Sequence, residues 1–225
     1  MFLIKAFNFL FGKFLFSKKV HLNYSLTYSN RKRNIDIHYL DYIRLATLEL
    51  VSNEINKKNL IGSVAEVGVY KGKFAKYINQ YFPKKKLYLF DTFEGFDEKD
   101  VVAEKKLGLT EVNQDFSNTS IELVLKNMPY PKQCIIKKGF FPETGVDIED
   151  SFVFVSLDAD LYEPIYQGLN FFFPKMTKGG YIIVHDVNND GYKGASKAVE
   201  QFSSEQGIAF LPIPDSCGSV VFVKN

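Results

Sequence analysis

Three carboxylates, Asp91, Asp158 and Asp186, stand at or beside the ends of short runs rich in β-branched and aromatic residues, 86–90, 152–157 and 181–184. Strands of that kind deliver Asp158 and Asp186 to one sheet edge. A carboxylate pair there is the oxygen ligation that a hard cation such as Mg²⁺ takes. The same two residues have a plainer reading, one capping the helix that starts near Tyr162 and the other ordering a loop. His185, just before Asp186, is either a base near neutral pH or a packed donor. Asp91 can accept hydrogen bonds from both hydroxyls of a ribose, or cap a turn. Upstream, Glu66-Val67-Gly68-Val69-Tyr70-Lys71-Gly72 sets two glycines four apart at a strand-to-helix turn, where backbone can bend sharply and approach a ligand. The spacing is not the G-x-G-x-x-G dinucleotide fingerprint. Nor is it a phosphate loop, which needs a following Lys-Ser/Thr.

These residues need elements to hold them. β-rich runs fall at 64–69, 86–90, 134–138, 152–157, 181–184, 208–213 and 219–223. Helical stretches at 72–82, 119–127 and 162–173 separate the first five, and another at 192–206 precedes the last pair. Apolar periodicity over 37–55 predicts one more helix ahead of the first strand. Strands alternating with helices of this length make right-handed βαβ units and a parallel sheet. Only Pro214-Asp215-Ser216-Cys217-Gly218 separates the last two runs, so those strands pair antiparallel. In such open sheets the ligand sits beyond the carboxyl ends of the strands, where strand order reverses. Gly68, Asp91, Asp158 and Asp186 all fall there. The polar, weakly periodic stretch 96–116 is long enough for a lid over the site.

Composition bounds the rest. With 46% hydrophobic and 24% charged residues the chain is globular and long enough to bury a full core. A net charge of +2, from 28 basic and 26 acidic residues, leaves no electrostatic footprint for nucleic acid. Cys134 and Cys217 lack CxxC spacing, which argues against a zinc site or disulfide framework and fits a reducing, cytoplasmic compartment. Residues 1–16, MFLIKAFNFLFGKFLF, put Lys5, Asn8 and Gly12 on a narrow polar stripe of a helix. That helix is shorter than the roughly 20 apolar residues a bilayer span takes. It also lacks the basic leader and cleavage site of a signal peptide. Two readings stay open: it packs on the domain or on a second subunit of a homo-oligomer, or it lies on the inner membrane face, helped by Lys13, Lys18 and Lys19. The basic cluster at 31–33 reads as linker. Residues 1–35 are thus an amphipathic helix and linker, and 36–225 a single domain.

Taken in order, VAEVGVYKGKFAKYI, LFDTFEGF, FVSLDADLYEPIYQGLNFFFPKMTKGGYIIVHD and PIPDSCGSVVFVK closely resemble the macrocin O-methyltransferase-like family of class I S-adenosylmethionine-dependent methyltransferases. The resemblance covers roughly residues 40–225. It implies an α/β, Rossmann-like sheet of seven strands, mostly parallel with the last antiparallel, and helices on both faces. It also implies methyl transfer from S-adenosylmethionine to an oxygen, commonly a sugar hydroxyl, with a divalent metal such as Mg²⁺ near the acceptor. By position, the resemblance makes Glu66, Gly68, Tyr70 and Gly72 the donor loop, Asp91 with Thr92 and Phe93 the ribose segment, and Gly139 and Phe140 the stretch beside the adenine. Asp158 becomes a donor neighbour, metal ligand and general base, with Asp186 the second ligand. One position departs. Where the family pattern has two consecutive aspartates this chain has His185-Asp186, which leaves either a weakened metal site or a metal-free route with His185 as base.

The chemistry asked of such a site is modest. Methyl transfer from a sulfonium is an in-line displacement, so the protein must hold acceptor and methyl in near-attack geometry and help the hydroxyl lose its proton. On the acceptor side the candidates are Tyr162, Glu163, Tyr192 and Lys193, while Lys71, Lys73 and Lys193 could hold a diphosphate as point charges. A nucleotide-sugar or a surface-polysaccharide precursor is the acceptor that the family resemblance implies. A small phenolic or natural-product acceptor is the alternative. A nicotinamide-dependent oxidoreductase is a more distant one, since its glycine fingerprint is missing.

Overall fold

The structure is a computed structural model that describes residues 2–18, 20, 41–110 and 115–225. Two compact units divide the chain, Met1–Asn34 and Ile35–Asn225. In the first, α1 (Phe2–Ser17) leaves Phe9, Leu10, Phe14 and Phe16 largely exposed. No described helix is long and apolar enough to cross a membrane. Lys19 and the basic cluster at 31–33 lie outside the described residues.

The second unit opens with α2 (Tyr42–Lys57), whose first turn is closed by Asp41: its Oδ1 accepts from the Arg44 amide at 3.1 Å. Ile37 and Leu40, from which the sequence starts this helix, are not among the described residues. There follow β1 (Ser63–Val67), α3 (Ala75–Tyr81), β2 (Leu87–Asp91), α4 (Glu98–Lys106), α5 (Ile121–Asn127), β3 (Cys134–Lys138) and β4 (Phe152–Leu157). The chain ends with α6 (Tyr162–Lys175), β5 (Met176–Val184), α7 (Gly194–Gln206), β6 (Leu211–Ile213) and β7 (Ser219–Val223). All seven strands form one sheet in the order β3-β2-β1-β4-β5-β7-β6. Strands β1 to β5 are parallel to one another, and β7 runs antiparallel to both β5 and β6. Strand order reverses between β1 and β4, where Val67 and Leu157 stand in register.

Period-two burial sorts the strands into two cores, because successive side chains point to opposite faces. Val64, Leu87, Leu89, Phe154 and Ile183 pack on one face against Leu45, Leu48 and Ile55 of α2 and Ile78 of α3. Ala65, Val67, Phe90, Val155, Leu157 and Val184 pack on the other against Ile165, Leu169 and Phe172 of α6 and Val199 and Phe202 of α7. With both faces covered, the central strands are apolar almost throughout. The sheet's carboxyl edge is left as the place where polar groups can be presented.

β6 and α3 each begin three residues later than the sequence reading has them, and two elements depart further. β5 begins at Met176, five residues before the predicted start at 181, because Gly179 and Gly180 stay in the sheet rather than turning. Their backbone pairs with Lys224: Gly179 donates to its carbonyl at 2.7 Å and the Lys224 amide donates to Gly180 at 3.0 Å. The stretch 96–116, read as an irregular lid, contains α4. Its buried residues are Asp100 and Glu104, so the helix has no apolar stripe for periodicity to detect.

Candidate active site

A cavity of about 330 Å³ opens above the reversal point between β1 and β4. Ten of the twelve candidate residues line it: Glu66, Gly68, Tyr70, Asp91, Thr92, Gly139, Phe140, Asp158, His185 and Asp186. Gly72 and Phe93 do not. A Cβ on Gly72 would press on Met128 and Val124 of the helical layer, and Phe93 is buried in the core at 6% exposure. Both serve the backbone around the cavity rather than its surface.

The strand ends carry unusual backbone. Tyr70, Phe93, Asp160 and Asp186 have φ of +49°, +56°, +59° and +63°, a region costing non-glycine residues about 1–3 kcal/mol each. Gly68, at φ +84°, is needed for a further reason. A Cβ there would overlap the Asp158 carbonyl, so the residue lets β1 pass close to the β4 end rather than making room for a ligand. Asp91 ties this loop together. Its Oδ2 accepts from the Val69 and Tyr70 amides, each at 2.8 Å, and its Oδ1 from the Phe93 amide at 2.6 Å. The turn-ordering reading of Asp91 is met by three amides, which orient the carboxylate and leave about one acceptor site, on Oδ1, for a ribose hydroxyl.

Glu66 is 1% exposed and lines the cavity, and its Oε2 has no hydrogen-bond partner among the described residues. Burial, with the Asp158 carboxylate nearby, pushes its carboxyl well above the usual range. A ligand ammonium would meet that need directly, as would any donor group. Gly139, Phe140 and Phe141 close the far wall, and the Gly139 amide donates to the Asp91 carbonyl at 3.0 Å.

At the β4 and β5 ends the acids form a connected network. Asp158 Oδ2 accepts from Arg44 Nη2 at 2.8 Å, and its Oδ1 lies 3.1 Å from His185 Nδ1. The same Nδ1 lies 2.7 Å from Asp186 Oδ2, while Asp186 Oδ1 accepts from Asn189 Nδ2 at 2.8 Å. Arg44 and Asn189 thus each hold one carboxylate oxygen, and the single His185 Nδ1–H lies between the other two. Burial pushes the Asp158 carboxyl up, but the Arg44 and His185 cations outweigh it and hold it well below the usual carboxylate range. Burial opposes the charged form of His185, yet Asp158 and Asp186 carry it up to about 10. The two carboxylates thus favour His185 as a donor in this network over the base role that the sequence also allowed. Burial and the Asp186 and Asp158 charges push Asp160 well up.

Ligand atoms of Asp158, His185 and Asp186 all lie within 4.8 Å of one another, close enough for a cation to bridge. The donor set is nonetheless a poor one for Mg²⁺, which requires near-octahedral oxygen ligation. The third position is an imidazole nitrogen, and Arg44 already sits on Asp158.

None of the acceptor-side candidates Tyr162, Glu163, Tyr192 and Lys193 lines the cavity. Tyr162 turns towards α7, its hydroxyl donating to Gln201 Oε1 at 2.6 Å and its ring stacked on Tyr166. Tyr192 is 3% exposed and packs edge-on against Phe96, while Lys193 is exposed at the surface. Lys71 and Lys73 do line the cavity. Sequence reading missed Arg44, Phe96, Asp100 and Phe116, which line it too. Arg44 left a trace: it extends the buried stripe of Leu48, Val51 and Ile55 with a charge.

The chain matches the family model described as macrocin-O-methyltransferase (TylF) over residues 34–220. It is 24% identical over 170 residues to demethyldecarbamoylnovobiocin O-methyltransferase of Streptomyces niveus, covering 70% of this chain and 63% of that relative. The chain thus spans less than two thirds of that relative's length. Among solved structures it is similar to the O-methyltransferase NovP, with a TM-score of 0.68 and 22% identity over 82% of this chain and 80% of that one. The calicheamicin methyltransferase CalS11 has a TM-score of 0.64 and 18% identity, covering 80% of this chain and 78% of that one. CalS11, in its apo form, is described as a TDP-rhamnose 3'-O-methyltransferase. With a matching model over most of its length and a fold shared with these enzymes, the chain belongs to the macrocin O-methyltransferase family.

Proposed function

We propose that this protein is an S-adenosylmethionine-dependent O-methyltransferase acting on a saccharide hydroxyl. The observation that carries the reading is the gathering of Glu66, Asp91 and Asp158 on one cavity above the strand reversal. Membership of the family supports the reaction class, and the sugar acceptor named for CalS11 supports the acceptor class. When bound, S-adenosylmethionine supplies an electrophilic methyl group on a sulfonium. Glu66 would hold its ammonium through the orphaned Oε2, Asp91 a ribose hydroxyl, and Gly139 and Phe140 its base.

Asp158 is the residue assigned to the acceptor. Its charge is secured by Arg44 and His185, so it can accept the hydroxyl's hydrogen bond and orient the oxygen, and take the proton as the new methyl–oxygen bond makes that oxygen strongly acidic. His185 orients Asp158 and Asp186 with a single N–H between them. Phe96 and Phe116, their ring centroids 4.9 Å apart and edge to face, line the cavity as an apolar wall. Because the residues suit Mg²⁺ poorly, no step is drawn through a metal. Arg44 and His185 supply the positive charge instead. Incubation with methyl-labelled S-adenosylmethionine and a panel of nucleotide-sugars, lipid-linked saccharides and catechols tests the reading. Label should enter a saccharide; label in catechols and in no sugar would overturn the acceptor class while leaving methyl transfer standing.

We also propose that α1 rests on an anionic membrane surface. Its exposed Phe9, Leu10, Phe14 and Phe16 stand beside Lys13 and Lys18, the combination that holds a helix at a headgroup layer. Co-sedimentation of the full chain with anionic vesicles should occur and weaken with salt. Free protein at every lipid concentration would sink the idea.

A further inference from the structure

α4 buries carboxylates instead of apolar side chains. Asp100 and Glu104, one turn apart, are 8% and 2% exposed. Glu104 has a structural role. Its Oε2 accepts from the Tyr162 amide at 3.1 Å, closing the first turn of α6, for which Leu161 offers no side-chain cap. Asp100 has no such role. Its side chain has no hydrogen bond or ion pair among the described residues, it is more than nine-tenths buried, and it lines the cavity.

The charges around Asp100 repel it. Asp97 at the helix cap, Glu163 from α6 and Glu104 one turn on all face it, and the cation set against them is Lys99, exposed at the surface. Burial and these like charges push its carboxyl up to about 7. Of the cavity's cations, Lys73 stands on the donor loop and is not among the charges that act on Asp100, and three others are engaged elsewhere. Arg44 and His185 hold Asp158 and Asp186, and Lys71 lies over the Tyr70 ring on the donor loop. A buried carboxylate in such surroundings is strongly unfavourable unless a ligand brings donors to it. Sugar hydroxyls would satisfy the lone pairs but leave the excess negative charge. An ammonium does both, through charge-assisted hydrogen bonds.

We propose that Asp100 receives a positively charged amino group of the acceptor, so that the saccharide this site takes is an amino sugar. This rests on the methyltransferase reading above and narrows it. The acidic wall also disfavours an acceptor that places a phosphate or carboxylate against α4.

The full chain, saturated with S-adenosylhomocysteine, is titrated calorimetrically at neutral pH with glucosamine, N-acetylglucosamine and glucose as probes. Glucosamine should bind at least tenfold more tightly than the other two. Asp100→Asn, close to isosteric, should erase that preference while leaving S-adenosylhomocysteine affinity intact and the fold no less stable. Equal binding of all three sugars, no saturable binding of any, or a preference that survives in Asp100→Asn would each overturn the assignment. Failure to bind S-adenosylhomocysteine at all would instead bring down the methyltransferase reading.

Discussion

Arg44 Nη2 lies 2.8 Å from Asp158 Oδ2, joining the first turn of α2 to the end of β4. The guanidinium also lies 3.9 Å above the Phe74 ring, so it is held by an aromatic face as well as by the carboxylate. With His185 on the other oxygen, Asp158 is kept ionised in a largely buried setting. A residue presented in this way can accept a proton only from a group placed directly against it, which is what an acceptor hydroxyl in the cavity would be.

Asp158→Asn removes that charge and keeps the shape. Methyl transfer should fall by about 10²–10⁴, the range for losing acid–base assistance, while S-adenosylhomocysteine affinity stays within a few-fold. A calorimetric titration beside a label-transfer assay separates the two. An active Asp158→Asn enzyme would remove the residue from the chemistry.

His185 gives a pH signature in stability. Its pKa in the folded chain is raised to about 10 from the ordinary histidine value near 6.5, so its charged contacts stabilise fully below about pH 6.5 and are lost as pH rises through 10. The Tm deficit of His185→Gln relative to the unaltered chain should therefore be largest near pH 6 and shrink towards pH 10. Activity of the unaltered enzyme should also survive EDTA, because Arg44 and His185 stand in for a cation. Loss of activity in EDTA, restored by a divalent ion, would contradict the metal-free route.

Much of this architecture is readable from the amino-acid order. The runs ending at Phe90 and Leu157 are apolar on both faces, and Asp91 and Asp158 mark where they stop. The strand ends are legible because a parallel sheet forces polar groups to its carboxyl edge. What stays hidden is whatever depends on two distant segments meeting. Arg44 reads as one cation in a helix until β4 brings Asp158 against it, 114 residues later. α4 is invisible because its buried face is Asp100 and Glu104. Tyr162 reads as a site residue, yet α7 supplies Gln201 as its partner and turns it away.

Asp100, like His185, lowers stability as pH rises, but by gaining an unfavourable charge where His185 loses a favourable one. The Asp100 pKa is raised to about 7 from 3.8, so the folded chain binds more protons than the unfolded one between those values, and stability falls as pH rises through that window. Asp100→Asn should therefore raise Tm by several degrees near pH 8 and leave it almost unchanged near pH 4. Thermal scans at the two pH values decide it. A lower Tm at pH 8 would show that the carboxylate is stabilised by something in the free protein.

Gly68 tests the backbone account of the donor loop. A Cβ there meets the Asp158 carbonyl at φ +84°, so even Gly68→Ala should lower Tm as well as donor affinity. Gly207→Ala provides the control, since it shares a positive φ of +64° but has nothing within 4 Å of an added Cβ. The Gly68 variant should lose clearly more stability than the Gly207 variant. Equal losses would mean that the close approach of β1 to the β4 end matters little.

The central claim is that the cavity above β1 and β4 binds a sulfonium nucleoside rather than a dinucleotide. Calorimetric titration of the full chain with S-adenosylhomocysteine and, separately, with NAD tests it most directly. S-adenosylhomocysteine should saturate a single site whose affinity drops at least tenfold in Glu66→Gln, and NAD should give no saturable heat. Saturable NAD binding with no response to S-adenosylhomocysteine would contradict the account at its root.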